Sequence, residues 1–146
     1  MLDKLRALFA GEEQTQEPSI EIDLAAASLM LEVSWSDHSV EDVEIDETKR
    51  LLKELYGLDA TKADALIADA QSRLGTSVGL HPYTTYLNEH LGEEERFNVV
   101  HALWRLALAD DRIDKFEEHI IRKASDLLYL SHSRFIEAKL LAKAES

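Results

Sequence analysis

The chain contains no cysteine, which excludes disulfide bonds and thiolate metal sites. It has only five glycines and two prolines, and no apolar run approaches the roughly 20 residues that a membrane-spanning helix needs. Basic residues are also scarce: 16 Lys and Arg stand against 29 Asp and Glu, a net charge of −13. Because binding to phosphates requires clustered Lys and Arg, nucleic acids and anionic lipid surfaces are not expected partners. The sequence MLDKLRALFAGEE lacks the long apolar stretch of a signal peptide, so a cytoplasmic location without stable membrane insertion is expected.

The residues that are abundant favour helices. A length of 146 residues with 45% apolar residues is typical of one globular domain, and Leu, Ala, Glu and Lys are frequent. No segment shows sustained two-residue alternation of apolar and polar residues. The sequence therefore predicts an all-α, single-domain bundle of about seven helices over residues 20–146. Residues 1–19 precede it as a short helix and a polar linker.

Apolar residues recur at helical spacing along most of the chain. In the first segment they are Leu2, Leu5 and Leu8 or Phe9, a stripe expected to pack on the domain, with a membrane or partner contact as the alternative. Cap residues and the spacing together predict seven further helices. They run from Ile22 to Trp35, Val43 to Tyr56, Thr61 to Leu74, Pro82 to Leu91, Glu93 to Ala109, Asp114 to Tyr129, and Ser131 to Ala142.

Two acidic segments, SDHSVEDVE at 36–44 and ADDRIDKFEE at 109–118, repeat one pattern. Each has an Asp, an apolar residue three positions later and a Glu four positions after that. At one constant offset the pairs are Asp37 with Asp110, Val40 with Ile113, and Glu44 with Glu117. The surrounding helices align at the same offset until a slip of one residue near ELYGL and LLYLS. The sequence therefore predicts a pseudo-two-fold repeat of helix–acidic turn–helix units.

The acidic residues of these segments have two interpretations. Glu44 and Glu117 fall in the first turn of a predicted helix, where negative charge is favourable, and Glu117 is a capping-box partner of Asp114. Asp37 and Asp110 end a helix, where a carboxylate is unfavourable by about 0.3–1 kcal/mol. The four residues could be helix caps and amide acceptors, or ligands of Ca²⁺, Mg²⁺ or Mn²⁺, which prefer carboxylate oxygens. An EF-hand loop is excluded, because counting from Asp37 its sixth position holds Asp42 instead of Gly.

Other chemistry finds little support in the sequence. There is no Glu-x-x-His or HExxH pair and no phosphate-binding loop. His101 lies on an apolar stripe and is interpreted as a hydrogen-bonded core residue, with metal ligation as the alternative. Trp35 and Trp104 precede the two acidic segments, and core packing or a partner contact would explain them. We expect no enzymatic activity and no organic cofactor.

The pattern Ala-Asp-Asp-x-Ile-Asp-x-x-Glu between two apolar helices resembles the TerB-like family of tellurite-resistance proteins. The resemblance covers about residues 20–141 and rests on two copies of a short motif in register. It implies a helical domain of bacterial stress-response proteins, with an acidic patch associated with divalent cations and no established catalytic activity. The family's acidic positions fall on Asp37, Glu44, Asp110 and Glu117. Three further candidates are Glu32, which could instead pair with a basic residue, and His38 and Asp111, which stand where the family has Gly.

Two functions follow as hypotheses. The first is a non-enzymatic TerB-like module that binds Ca²⁺, Mg²⁺ or Mn²⁺ and an unidentified protein partner through the acidic patch. The alternative is a metal-free interaction module that docks a basic protein surface. The sequence leaves both a monomer and a homodimer open.

Overall fold

A computed structural model of the chain describes residues 21–35, 40–74, 79–109 and 113–146. Within these ranges all regular structure is helical. The seven helices are α1 (Ile22–Ser34), α2 (Asp42–Tyr56), α3 (Ala60–Ser72), α4 (His81–His90), α5 (Glu93–Ala107), α6 (Lys115–Leu127) and α7 (His132–Glu145). This confirms the predicted all-α fold. None of the described helices is both long and apolar enough to cross a membrane.

The observed helix ends differ from the predicted ones by a few residues, for local reasons. The predicted ends of α3 and α5 continue as single tighter turns, in which Leu74 donates to the carbonyl of Gln71 and Ala109 to that of Leu106, both at 3.1 Å. Helix α7 extends three residues past Ala142, through residues of high helix propensity. The predicted N-terminal helix and linker at 1–19 lie outside the described residues.

Helix α1 is the centre of the bundle. Its residues from Leu24 to Ser34 are almost all buried, and it packs against α2, α3, α4, α5 and α6. A helix that is apolar or small on every face is typical of a central position, because it has no face suited to solvent. Three consecutive alanines, Ala25 to Ala27, are fully buried, so neighbouring helices can approach closely. Because α1 ends at the first acidic segment, this packing fixes where that segment begins.

Helix α5 is the second largely buried helix, and the second acidic segment follows it in the chain. It packs most extensively against α7 and also contacts α1, α2 and α6. Trp104 is fully buried, with its ring 5.3 Å from that of Phe135 on α7. The core interpretation of Trp104 is therefore confirmed, whereas Trp35 is half-buried at the end of α1. His101 is mostly buried, and its Nε2 lies 2.6 Å from a carboxylate oxygen of Glu145, as the core interpretation expected.

Several local features of the two halves correspond. The end of α1 and the start of α2 match the end of α5 and the start of α6 at the offset that separates Asp37 from Asp110. Gly57 after α2 and Tyr129 after α6 also correspond, but with an offset that is one residue shorter. Both have left-handed backbone angles, with φ of 65° and 59°. The N-caps that follow, Asp59 and Ser131, each accept a hydrogen bond from the third helical residue. An overall pseudo-two-fold axis stays a prediction.

Candidate acidic site

The structure describes only part of the predicted site. Asp37, His38, Asp110 and Asp111 lie outside the described residues. Among the predicted site residues, Glu32 near the end of α1, Glu44 in α2 and Glu117 in α6 are described. Within the described ranges, no group of three or more His, Asp or Glu side chains is arranged to hold a metal ion.

Glu44 and Glu117 both cap the helix that follows an acidic segment. The Oε1 atom of Glu44 accepts a hydrogen bond of 3.1 Å from the backbone N–H of Glu41, the N-cap of α2. In α6, Oε1 of Glu117 accepts one of 3.2 Å from the N–H of Asp114, and Oδ1 of Asp114 accepts one of 2.7 Å from the N–H of Phe116. The predicted capping box of Asp114 and Glu117 is therefore confirmed. Both carboxylates are also held at helix N-termini, where the helix dipole stabilises negative charge.

The two capping glutamates differ in burial. Glu117 is only 8% exposed, whereas Glu44 is half-buried. A buried carboxylate requires compensating hydrogen bonds, and the N–H of Asp114 supplies one of them. In α2, the buried Thr48 donates a 2.7 Å hydrogen bond to the backbone carbonyl of Glu44. The start of each helix is therefore fixed by its own side chains, and this fixes the position of each carboxylate.

A surface cavity of about 480 Å³ brings the flanks of the two acidic segments together. Its lining includes Val43, Asp46 and Glu47 in the first turns of α2, and also Arg50 and Arg105. Leu108 and Ala109 line it from the end of α5, and Ala109 is followed in the chain by Asp110. Residues on either side of Glu44 thus share a cavity with the residue that precedes Asp110.

The cations near this cavity are engaged with particular carboxylates. Arg105 on α5 forms a 2.8 Å ion pair with Glu54 of α2, and Arg50 binds Glu47 through two nitrogens. Asp42 and Asp46 have no ion pair among the residues that the structure describes. The start of α2 therefore keeps a local excess of negative charge, which Lys49 partly offsets at Asp46.

Glu32 has no basic partner among the described residues. It is half-buried, and desolvation by burial raises the pKa of its carboxyl. The residue at the equivalent position of the second half, Arg105, is paired with Glu54, so the two halves differ here.

Two exposed apolar residues next to the acidic segments had not been predicted as site residues. Val43 and Phe116 are 44% and 56% exposed, and each is the second residue of the helix that follows its segment. They correspond at the same offset as Glu44 and Glu117. An apolar residue directly before each repeated Glu was the sequence signal that could have identified them.

Comparison with known families gives a match that spans most of the chain. A family model described as tellurite resistance protein TerB matches residues 23–140. The chain belongs to the TerB family. The match extends from α1 into α7 and includes both acidic segments, so the resemblance seen in the motif is confirmed. TerB is a helical domain and not a known enzyme family. Searches of curated proteins and of solved structures gave no match.

Proposed function

We propose that this TerB domain is a non-enzymatic module that binds a divalent cation between its two acidic segments. The ligands would be Asp37, Glu44, Asp110 and Glu117, and the ion Ca²⁺, Mg²⁺ or Mn²⁺. The observation that supports the proposal is the cavity lined by both Val43 and Ala109, because Val43 directly precedes Glu44 and Ala109 directly precedes Asp110.

The chemistry of the surroundings favours a hard cation. Carboxylate oxygens suit Ca²⁺, Mg²⁺ and Mn²⁺, and four of them with some waters would complete a coordination shell. Capping fixes Glu44 and Glu117 at the starts of their helices, which reduces the entropy lost when they bind an ion. A bound cation would also offset the repulsion where α2 begins, since Asp42 and Asp46 have no ion pair in the described ranges.

Family membership supports a role in a bacterial stress response. In this proposal the ion organises the acidic face of a cytoplasmic protein, which then binds a protein partner. Its net charge of −13 suits a basic partner surface and disfavours nucleic acid.

Titration calorimetry and thermal unfolding with Ca²⁺, Mg²⁺ and Mn²⁺ test cation binding directly. A ligand specific to the folded state must raise stability, so at least one ion should increase Tm in a concentration-dependent manner. The double variant Asp37→Asn, Asp110→Asn should lose this increase. Glu44→Gln and Glu117→Gln should lose it too while keeping the caps, since Gln can replace Glu in a capping box. Glu89→Gln, at an exposed position of α4, is the matched control. No heat and no change in Tm at millimolar ion would exclude the proposal.

A metal-free interaction module is a second candidate, which the exposure of Val43 and Phe116 favours. Exposed apolar side chains beside acidic groups are typical of a surface that docks a basic, partly apolar partner. In that case partner capture from a lysate of the source cells would be sensitive to salt, insensitive to chelator, and weakened by Phe116→Ser. Leu140→Ser, at an equally exposed apolar position of α7, should leave capture unchanged. Loss of capture on chelation would favour the cation-dependent function instead.

A further inference from the structure

A second surface feature lies at the opposite end of α1, where the described chain begins. Three adjoining cavities of about 340, 370 and 140 Å³ form a groove beside Glu21. We call it the α1 groove. Half-buried apolar side chains line it along its length: Ile22, Leu55, Tyr56, Leu58, Leu66 and Leu91. These side chains rest on the core but still present apolar surface, which is suited to covering by another apolar segment.

The rim of the α1 groove is acidic. Glu21, Asp23, Asp69 and Glu95 line the cavities, and Lys62 is the one basic residue among the described lining residues. Asp69 is paired with Arg73 at 3.3 Å, so Glu21, Asp23 and Glu95 contribute most of the negative charge. Such a rim repels acidic segments and attracts basic ones.

Tyr56 lines the groove, and the pKa of its side chain reflects the same environment. Its phenol has a pKa raised to about 12, mainly by desolvation and further by the negative charges of Asp23 and Glu95. The groove therefore combines low polarity with negative potential.

Residues 1–10, MLDKLRALFA, have the complementary composition. Their apolar residues, Leu2, Leu5, Leu8 and Phe9, are spaced for one face of a helix. Lys4 and Arg6 outnumber the single acid Asp3, in a chain that is otherwise strongly acidic. The segment thus offers apolar side chains for the groove and basic side chains for its rim.

The connection between the two is long enough. Eleven residues, 10–20, separate Phe9 from Glu21, and Glu21 itself lines the groove. Extended chain spans at most about 3.3–3.6 Å per residue, so this connection reaches up to about 40 Å. Tethering also gives the segment a millimolar effective concentration at the groove, so even weak contacts would hold it there.

We propose that residues 2–9 dock in the α1 groove of their own chain. Leu2, Leu5, Leu8 and Phe9 cover the apolar floor, and Lys4 and Arg6 face the acidic rim. This docking is independent of cation binding, because the described residues that line the α1 groove and those that line the cavity beside Val43 and Ala109 are different.

Paramagnetic broadening in the full-length protein tests this docking. Because the chain has no cysteine, Ala10→Cys creates a single attachment point for a spin label just beyond the apolar stripe. We expect the amide signals of Tyr56, Leu58 and Leu91 to lose their intensity, while that of Leu140 on α7 is unaffected. Adding Leu5→Asp and Leu8→Asp should restore the lost signals, and Lys4→Glu with Arg6→Glu should restore them in part. An unchanged amide spectrum outside the groove shows that each variant is folded.

Three results would overturn the proposal. The groove signals could keep their intensity in the labelled protein, which would exclude docking. They could instead broaden in a mixture of labelled chain and isotope-enriched unlabelled chain, which would make a second copy the occupant. Finally, vesicles of anionic and zwitterionic lipid could bind the full-length protein through Leu5 and Leu8 while the groove signals stay intact, which would assign the stripe to a membrane surface.

Discussion

Glu44 and Glu117 occupy equivalent positions in the two halves of the chain, and each accepts a hydrogen bond from the backbone N–H of its own N-cap residue. The helices that follow the acidic segments therefore start in the same way. This relationship has a consequence for function, because a residue that caps a helix is already ordered before any ligand arrives. Each of these carboxylates can act as a hydrogen-bond acceptor and as a negative charge. Substitution by Gln or by Ala tests the two roles separately.

Replacing Glu117 tests its capping role. Glu117→Ala removes the acceptor for the N–H of Asp114 and should lower the free energy of unfolding by about 1 kcal/mol, the usual contribution of a cap. Glu117→Gln keeps the acceptor and should cost less. Chemical denaturation of both variants without added metal measures the difference. Equal losses for Ala and Gln would show that charge, and not capping, is what Glu117 contributes to stability.

The left-handed residues that end α2 and α6 predict opposite effects of two substitutions. Gly57 has φ of 65° and open space where a methyl group would lie, so Gly57→Ala should destabilise by about 1 kcal/mol through backbone strain alone. Tyr129 has φ of 59° and is 78% exposed, so Tyr129→Gly should relieve strain and stabilise by about 0.5 kcal/mol after the entropy cost of glycine. Urea denaturation measures both. A stabilising Gly57→Ala would contradict the assigned backbone geometry.

The sequence predicts the helices well because their signals are local. Gly57, Asp114 and Ser131 mark helix ends by backbone freedom or by side-chain acceptors, and the structure uses each of them in that way. The capping role of Glu117 follows from the same short-range chemistry.

Local sequence signals do not predict the contacts between helices. The central position of α1 depends on which helices surround it, and its burial on every face leaves no apolar stripe that points to one partner. The pairing of Arg105 with Glu54 and the cavity between Val43 and Ala109 join residues far apart in sequence. For the same reason the sequence could suggest that the acidic segments meet but could not give the cavity between their flanks.

The end of α6 depends on two side chains from other helices. Arg96 of α5 donates a 2.6 Å hydrogen bond to the carbonyl of Leu128, and Asn88 of α4 donates one of 2.8 Å to that of Leu127. Helix ends leave carbonyls without intrahelical partners, and charged donors to such groups contribute about 1.5–3 kcal/mol. Arg96→Ala should therefore destabilise by an amount in that range, as measured by chemical denaturation. Arg50→Ala, which removes an exposed pair with Glu47, should cost about 0–1 kcal/mol and is the control. Equal effects would argue against this tertiary capping.

Replacing Glu32 should raise the stability of the protein by an amount that depends on pH. Burial raises the pKa of Glu32, so its neutral form is favoured in the folded state and the stability that it contributes is lost as pH rises through the folded pKa. Glu32→Gln should therefore unfold at a higher temperature than the parent at pH 7, and the difference should shrink in acid, where Glu32 is protonated. Glu89→Gln, an exposed control, should show no such difference. If Glu32 were a cation ligand, its replacement would also diminish the increase in Tm that the cation produces.

Ionisation of Tyr56 should lower the stability of the protein in alkaline solution. The pKa of Tyr56 is raised to about 12 in the folded protein, chiefly by desolvation, against a reference value of 10.0. The unfolded chain therefore releases this proton first, and stability that is complete below pH 10 should fall between about pH 10 and 12, by up to roughly 2–3 kcal/mol. Tyr56→Phe cannot ionise, so its stability should fall less over the same interval, whereas Tyr129→Phe, at an exposed position, should follow the parent. Chemical denaturation of the three proteins at pH 9 and pH 11.5 measures these changes. Equal losses of unfolding free energy in the parent and Tyr56→Phe would show that Tyr56 ionises as readily in the groove as in the unfolded chain.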